Sequence, residues 1–174
     1  MKPSYINMRN FWLDMTNLEN RRGILELGPD RIAVAGVEMA LTDGTERKHL
    51  FLATKSLGDS SLYFENNSKS GLGGMIGGHG NEALQTAAAK MLAHASKLTV
   101  HMSALPAGSA LPPPSAEGNV RLFAVSKEKL FHTELKETEA RTTENIFYPF
   151  FAYSQQVLGF FRAQETQTHA QGRG

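Results

Sequence analysis

From Asn81 to Leu98 the apolar residues fall at a spacing that only a helix brings onto one side. Leu84, Ala87, Ala88, Met91, Leu92, Ala95 and Leu98 form a single stripe, with Lys90 and Lys97 opposite. Asn81 stands where an N-cap is needed, and Glu82 places a carboxylate in the first turn, where the helix dipole favours it. The many alanines predict a close approach to a sheet face. Nearer the N-terminus, Ile6, Met8, Phe11, Trp12, Met15 and Leu18 predict a helix over Tyr5–Leu18, weakened by Asn7, Asn10 and Asn17.

Strand patterning occupies most of the remaining chain. Gly23–Leu27 reads as a short strand and Gly28-Pro29-Asp30 as a turn. In Arg31–Leu41, Ile32 and Val34 share one parity while Val37, Met39 and Leu41 share the other. That change of phase predicts a bulge at Gly36. Asp43-Gly44 is a hairpin signal, with Lys48–Thr54 as the returning strand and Leu62–Phe64 as a further one. Thr99–Ala104 alternates as a strand. Leu105–Gly118 is irregular around Pro112-Pro113-Pro114, and Asn119–Ser126 resumes as a strand. Leu130–Leu135 either pairs back onto it or belongs to a helix over Glu128–Ala140.

The final element concentrates the aromatics. Phe147, Tyr148, Phe150, Phe151, Tyr153, Phe160 and Phe161 lie within fifteen positions, and Pro149 suits a first helical turn. Phe150, Tyr153, Ser154, Val157, Leu158 and Phe161 are expected on one face, with Phe151 and Phe160 off it. A helix apolar on more than one side is either enclosed by its own domain or shared with a partner. The chain after Ala163 has little apolar content and is expected to be a disordered tail, residues 164–174, beyond one domain of residues 1–163.

These elements predict an α+β fold: an antiparallel sheet of roughly five to seven strands flanked by two or three helices. The element order resembles that of profilin-like and roadblock-like sensor or scaffold domains, which often dimerise. The likeness is in order alone, without a shared motif.

Composition narrows the function classes. The chain has 174 residues, a net charge of +1 and no cysteine. Disulfide and thiolate chemistry are therefore excluded, and zinc would have only histidine and carboxylate ligands. No basic run exceeds the Arg21-Arg22 and Arg47-Lys48 pairs, so no nucleic-acid partner is expected. No apolar leader or membrane span is apparent, and a cytoplasmic location is expected.

One segment invites a chemical reading. Ser70–Gly80 (S-G-L-G-G-M-I-G-G-H-G) enters the Asn81–Leu98 helix, where free N–H groups and the dipole favour anions. It matches neither the dinucleotide fingerprint, because Ile76 replaces the third glycine, nor a P-loop, because His79-Gly80 replaces Lys-Ser/Thr. It is thus a linker, a close-packed turn, or a ligand cradle built from Gly73, Gly74, Gly77, Gly78, His79, Asn81 and Glu82. His79 and Glu82 could act as acid and base, or hold a metal with a third ligand. As a first-turn carboxylate and its neighbour they need no such role, and neither do His94 and His101. No catalytic set, metal site or cofactor is assigned.

Two functions follow. The first is a non-enzymatic interaction or scaffold domain, a homodimer or bound to another protein, with Phe147, Tyr148, Phe151 and Phe160 in the contact. The second is a small-ligand or anion-binding protein, possibly an enzyme, using residues 70–82.

Overall fold

The computed structural model describes residues 3–14, 31–43, 46–56, 58–65, 72–78 and 80–171. The expected strand Gly23–Leu27, the turn after it and the Gly44 turn residue lie outside these. The longest hairpin pairs β1 (Val34–Asp43) with β2 (Glu46–Lys55) in an unbroken antiparallel register from Val34↔Lys55 to Asp43↔Glu46. β3 (Ser60–Glu65) and β4 (Leu72–Gly77) extend the sheet beyond β2. On the other side of β1 lie β6 (Asn119–Val125), β7 (Lys129–Lys136) and the short β5 (Ser103–Pro106). The seven strands run β4-β3-β2-β1-β6-β7-β5, and every neighbouring pair is antiparallel.

Both faces of this sheet are covered, which is why its central strands read as apolar runs. Ala35, Val37, Met39, Leu50, Leu52, Leu62, Val120, Leu122 and Ala124 pack against α2 (Glu82–Leu98) and α4 (Tyr148–Gln171). Val34, Phe51, Ala53, Phe123, Val125 and Leu130 face α1 (Pro3–Leu13) through Tyr5, Trp12 and Leu13. The expected bulge at Gly36 is absent: β1 pairs continuously with both neighbours through it. The break in phase lies before the strand, between Ile32 on one face and Val34 on the other.

Gly36 is needed for a different reason. Phe123, its partner on β6, reaches across β1 to stack on Phe51, with centroids 4.9 Å apart and planes 10° from parallel. A Cβ on Gly36 would sit 1.9 Å from the Leu52 carbonyl oxygen and 2.6 Å from the Phe123 ring.

α2 forms as its stripe predicts. The Asn81 side chain accepts the Leu84 N–H at 3.0 Å, and Leu84, Ala87, Ala88, Met91, Ala95 and Leu98 are buried. Leu92 is half-buried at the rim of the stripe. Thr99–Ala104 is not one strand: Thr99–His101 continues the helix as a tighter turn, leaving Val100 81% exposed, and β5 begins at Ser103. β7 pairs back onto β6, so the helical alternative for Glu128–Ala140 survives only as α3 (Glu137–Ala140).

α4 buries Phe150, Phe151, Ser154, Val157, Leu158 and Phe161, a stripe rotated from the expected one so that Phe151 lies inside it and Tyr153 at its edge. The buried Ser154 hydroxyl donates to the Phe151 carbonyl at 2.7 Å, so a polar residue sits on the stripe without an orphaned group. The helix runs on to Gln171, into the segment expected as a tail. No helix among the described residues is long and apolar enough to cross a membrane.

Gly36→Ala is expected to cost about 1–3 kcal/mol, because the carbonyl it meets belongs to a strand that cannot retreat. Gly159→Ala, on the exposed side of α4 with nothing within 4 Å, should instead stabilise by about 0.5–1 kcal/mol. Urea denaturation of both variants checks the pair.

Candidate functional site

The glycine-rich segment is not the loop its composition predicts. Leu72–Gly77 is strand β4, paired residue for residue with β3 from Ser60↔Gly77 to Glu65↔Leu72. Its glycines make room for rings. A Cβ on Gly73 would lie 2.3 Å from the Phe64 ring, and one on Gly77 would lie 3.1 Å from Phe161 on α4. Aromatic residues packed over strand glycines compensate for the missing side chains. After the strand the described backbone turns left-handed at Gly78 (φ +119°) and Gly80 (φ +77°), and the Gly58 carbonyl lies 2.8 Å from where a Cβ on Gly78 would stand.

Of the candidate ligand residues, Gly77, Gly78 and Asn81 line one cleft of about 390 Å³ with Asp59, Ile76 and Gln164. Gly73 and Gly74 lie further along β4. Glu82 lines a different cleft, of about 580 Å³, with Lys90, Gln156 and Phe160 between α2 and α4. His79 lies outside the described residues. Among the described residues the first cleft has no basic lining residue, and the Asp59 carboxylate shares it with the N-terminus of α2. An anion there would face a like charge, which offsets the attraction of the helix dipole.

The aromatic candidates divide. Phe151 is 1% exposed, with the Arg141 guanidinium 5.4 Å from its ring centroid, so it is a core residue of this chain. Phe147, Tyr148 and Phe160 are half-buried. Tyr153 stacks on His94 at 5.4 Å, with the Lys90 ammonium 5.6 Å from its ring. These contacts join the outer sides of α2 and α4.

The densest polar cluster was not singled out from the sequence. Glu38 on β1 is 0% exposed, and Arg9 and Arg121 bracket its carboxylate. Arg9 donates through Nε to Oε1 at 2.6 Å and through Nη2 to Oε2 at 3.1 Å, while Arg121 Nη1 donates to Oε2 at 2.9 Å. Arg121 also pairs with Glu134 and donates to the Pro113 carbonyl. Arg9 donates to the Pro112 carbonyl at 2.8 Å. Strand register assembles the row: Glu38 lies opposite Arg121, and Arg121 opposite Glu134. Glu134 Oε1 accepts from Asn119 at 2.9 Å and from the Ala116 N–H at 3.1 Å. Beside this row, His49 Nδ1 lies 2.8 Å from Glu65 Oε2, and the Tyr5 ring stands 5.6 Å from His49.

Titration follows from these surroundings. Burial, then the Glu38 charge, push the Tyr5 hydroxyl far above its ordinary pKa, so it stays protonated. Burial and the Arg121 charge hold His132 below the ordinary histidine range, against the opposing pull of Glu134. For Glu134, burial acts upward but is outweighed by hydrogen bonds from Asn119 and Ala116 and by Arg121, leaving its pKa lowered. Two guanidiniums and two carboxylates thus meet in near balance. The arrangement locks α1 and the proline segment onto the sheet; it points no free nucleophile at a cavity. Among the described residues, no group of three or more His, Asp or Glu is placed to hold a metal ion.

The signal for this cluster was present as single charges inside apolar strands: Val37-Glu38-Met39, Val120-Arg121-Leu122 and Thr133-Glu134-Leu135. Only the register shows that they meet. No family model matches this sequence, and no curated protein matches it.

Glu38→Gln leaves the Arg9 charge buried without its partner and is expected to cost about 3–5 kcal/mol. Glu137→Gln, which breaks the exposed Arg141 pair, should change stability by about 0–1 kcal/mol. Lowered pKa values at His132 and Glu134 mean that the unfolded chain binds protons more readily at both. Stability is therefore intact near neutrality. It falls as acidification passes the ordinary histidine range, then falls again as Glu134 protonates. His132→Gln should flatten the first of these losses in a melting-temperature profile against pH, leaving the second.

Proposed function

We propose that this protein is a non-enzymatic interaction domain, and that its contact surface is the outer edge of β4 with the neighbouring end of α4. The reading rests on the unequal protection of the two sheet edges. β5 is only four residues long and ends on Pro106. β4 is six residues long, uncharged, free of proline and unbroken by a bulge, and its Ile76 is 78% exposed. Edges left in that condition invite another strand, and proteins that do not use them blunt them with lysine, proline or bulges. An extended segment added to β4 would draw affinity from main-chain hydrogen bonds and selectivity from the side chains beside them. From α4 it is Gln164 that borders the cleft beside Ile76, while Phe160, midway along the helix, lines the cleft between α2 and α4.

The ligand-binding alternative has less support. Its glycines are taken up by strand pairing and ring packing, and its cleft carries Asp59.

A photo-crosslinking residue at position 76, compared with the same residue at the equally exposed position 100, tests the reading in living cells of the source. Protein adducts at 76 and none at 100 are expected. Equal yields at the two positions, or none at 76, would remove β4 as the contact surface.

A further inference from the structure

We infer that residues 107–118 form a strap over the α1 side of the sheet that is closed near neutrality and opens on mild acidification, with His132 beneath it as the trigger. Topology places the strap. β7 lies between β5 and β6 and is antiparallel to both, so the chain leaving β5 must travel the length of β7 to enter β6. Ala107 ties it at one end, donating its N–H to the Glu128 carbonyl at 3.0 Å. Gly118 ties it at the other, accepting the Glu137 N–H at 2.9 Å. Between these ties Leu111 packs at the rim of the α1-side core, and Arg9 and Arg121 meet the proline carbonyls. The strap therefore crosses β7 on the face that α1 covers. Leu130 of β7 belongs to that core, and residues two apart on a strand share a face, so His132 and Glu134 face the strap as well. His132 stands midway along the crossing, opposite Phe123 of β6 and Ser103 of β5.

Charge, rather than a hydrogen-bonded ladder, holds the middle of the strap. Pro112, Pro113 and Pro114 have no N–H to give to β7. Arg9 donates to the Pro112 carbonyl at 2.8 Å, Arg121 donates to the Pro113 carbonyl, and Glu134 Oε1 accepts the Ala116 N–H at 3.1 Å. The same three side chains are the charges that act on His132: Arg121 from β6, Arg9 from α1 and Glu134 from its own strand. Ser103 faces it from β5, and residues 107–116 carry no ionisable side chain. Glu38 lies beyond Arg121 on β1, already paired with both arginines. A proton on His132 thus puts a cation beneath the strap, beside the two cations that hold it and against the single pull of Glu134. Burial adds to that cost. Lifting the strap admits water to the row and relieves the cost, while Arg121 keeps both of its carboxylates. Protonation therefore favours the open form. The strap stays closed above the ordinary histidine range and opens as pH falls through it, where Glu134, held below its own ordinary range, is still ionised.

The chain has no cysteine, so paired nitroxides can be placed at chosen thiols. Ala110→Cys marks the exposed middle of the strap, and Ala93→Cys marks the exposed side of α2, across the sheet. Electron–electron distance distributions are recorded at about pH 7.5 and about pH 5.5, on either side of the ordinary histidine pKa. A single population is expected at the higher pH, and a longer-distance population should grow at least about threefold at the lower. His132→Gln, or His132→Leu should the first melt below the parent at neutral pH, is expected to keep the single population at both. Far-ultraviolet circular dichroism at the two pH values separates opening from unfolding. No longer-distance population in the parent, equal growth in the His132 variant, or growth only together with loss of the sheet signal would overturn the inference.

Discussion

A carboxylate placed in the middle of an apolar sheet must be neutralised where it stands, and the α1 side of this protein is arranged around that requirement. Glu38 is fully buried on the central strand. Arg9 reaches it from α1 and Arg121 from β6, and the carbonyls of Pro112 and Pro113 accept from the same two guanidiniums. Burying an ion is costly unless partners and hydrogen bonds compensate it. The N-terminal helix, the proline segment and the β6–β7 register are therefore mutually dependent. Displacing any one of them would leave a charge in the core.

The opposite face has no such constraint and is built by volume. Alanines let α2 lie close to the sheet, and the Phe150–Phe161 stripe of α4 fills what remains. Packing here is apolar apart from the buried Thr54–Ser60 hydroxyl pair at 2.9 Å, and the buried Ser154 hydroxyl on α4 is satisfied within its own helix. The outer joint between the two helices is made by Tyr153 with His94 and Lys90. The sheet is thus clamped ionically on one side and hydrophobically on the other. Among the described residues the most exposed apolar side chain of the sheet is Ile76 on β4, where the interaction reading places the contact.

Much of the fold is legible from residue order because its determinants are local. The α2 stripe, the Asn81 cap, the β1–β2 hairpin and the return of β7 onto β6 each depend on spacing or turn chemistry within a few residues. The errors share a cause. Gly36 suggests a bulge when a strand is expected to bury one face, but β1 buries two, and the glycine answers to a ring stack formed by residues fifteen or more positions away. The Ser70–Gly80 glycines suggest a loop for the same reason: the rings of Phe64 and Phe161 that cover them come from β3 and α4.

By itself, then, the sequence determined the class of fold, the helices, most strands and the absence of cysteine chemistry, since periodicity, capping and composition act over short stretches. Tertiary structure alone decided that Glu38, Arg121 and Glu134 form one row, because cross-strand register joins residues eighty-three and thirteen positions apart. It also decided that Phe151 is covered by Arg141 and that a glycine-rich stretch is an edge strand with an exposed isoleucine. Whether a side chain is buried, paired or free depends on what other elements place against it, and no local pattern contains that information.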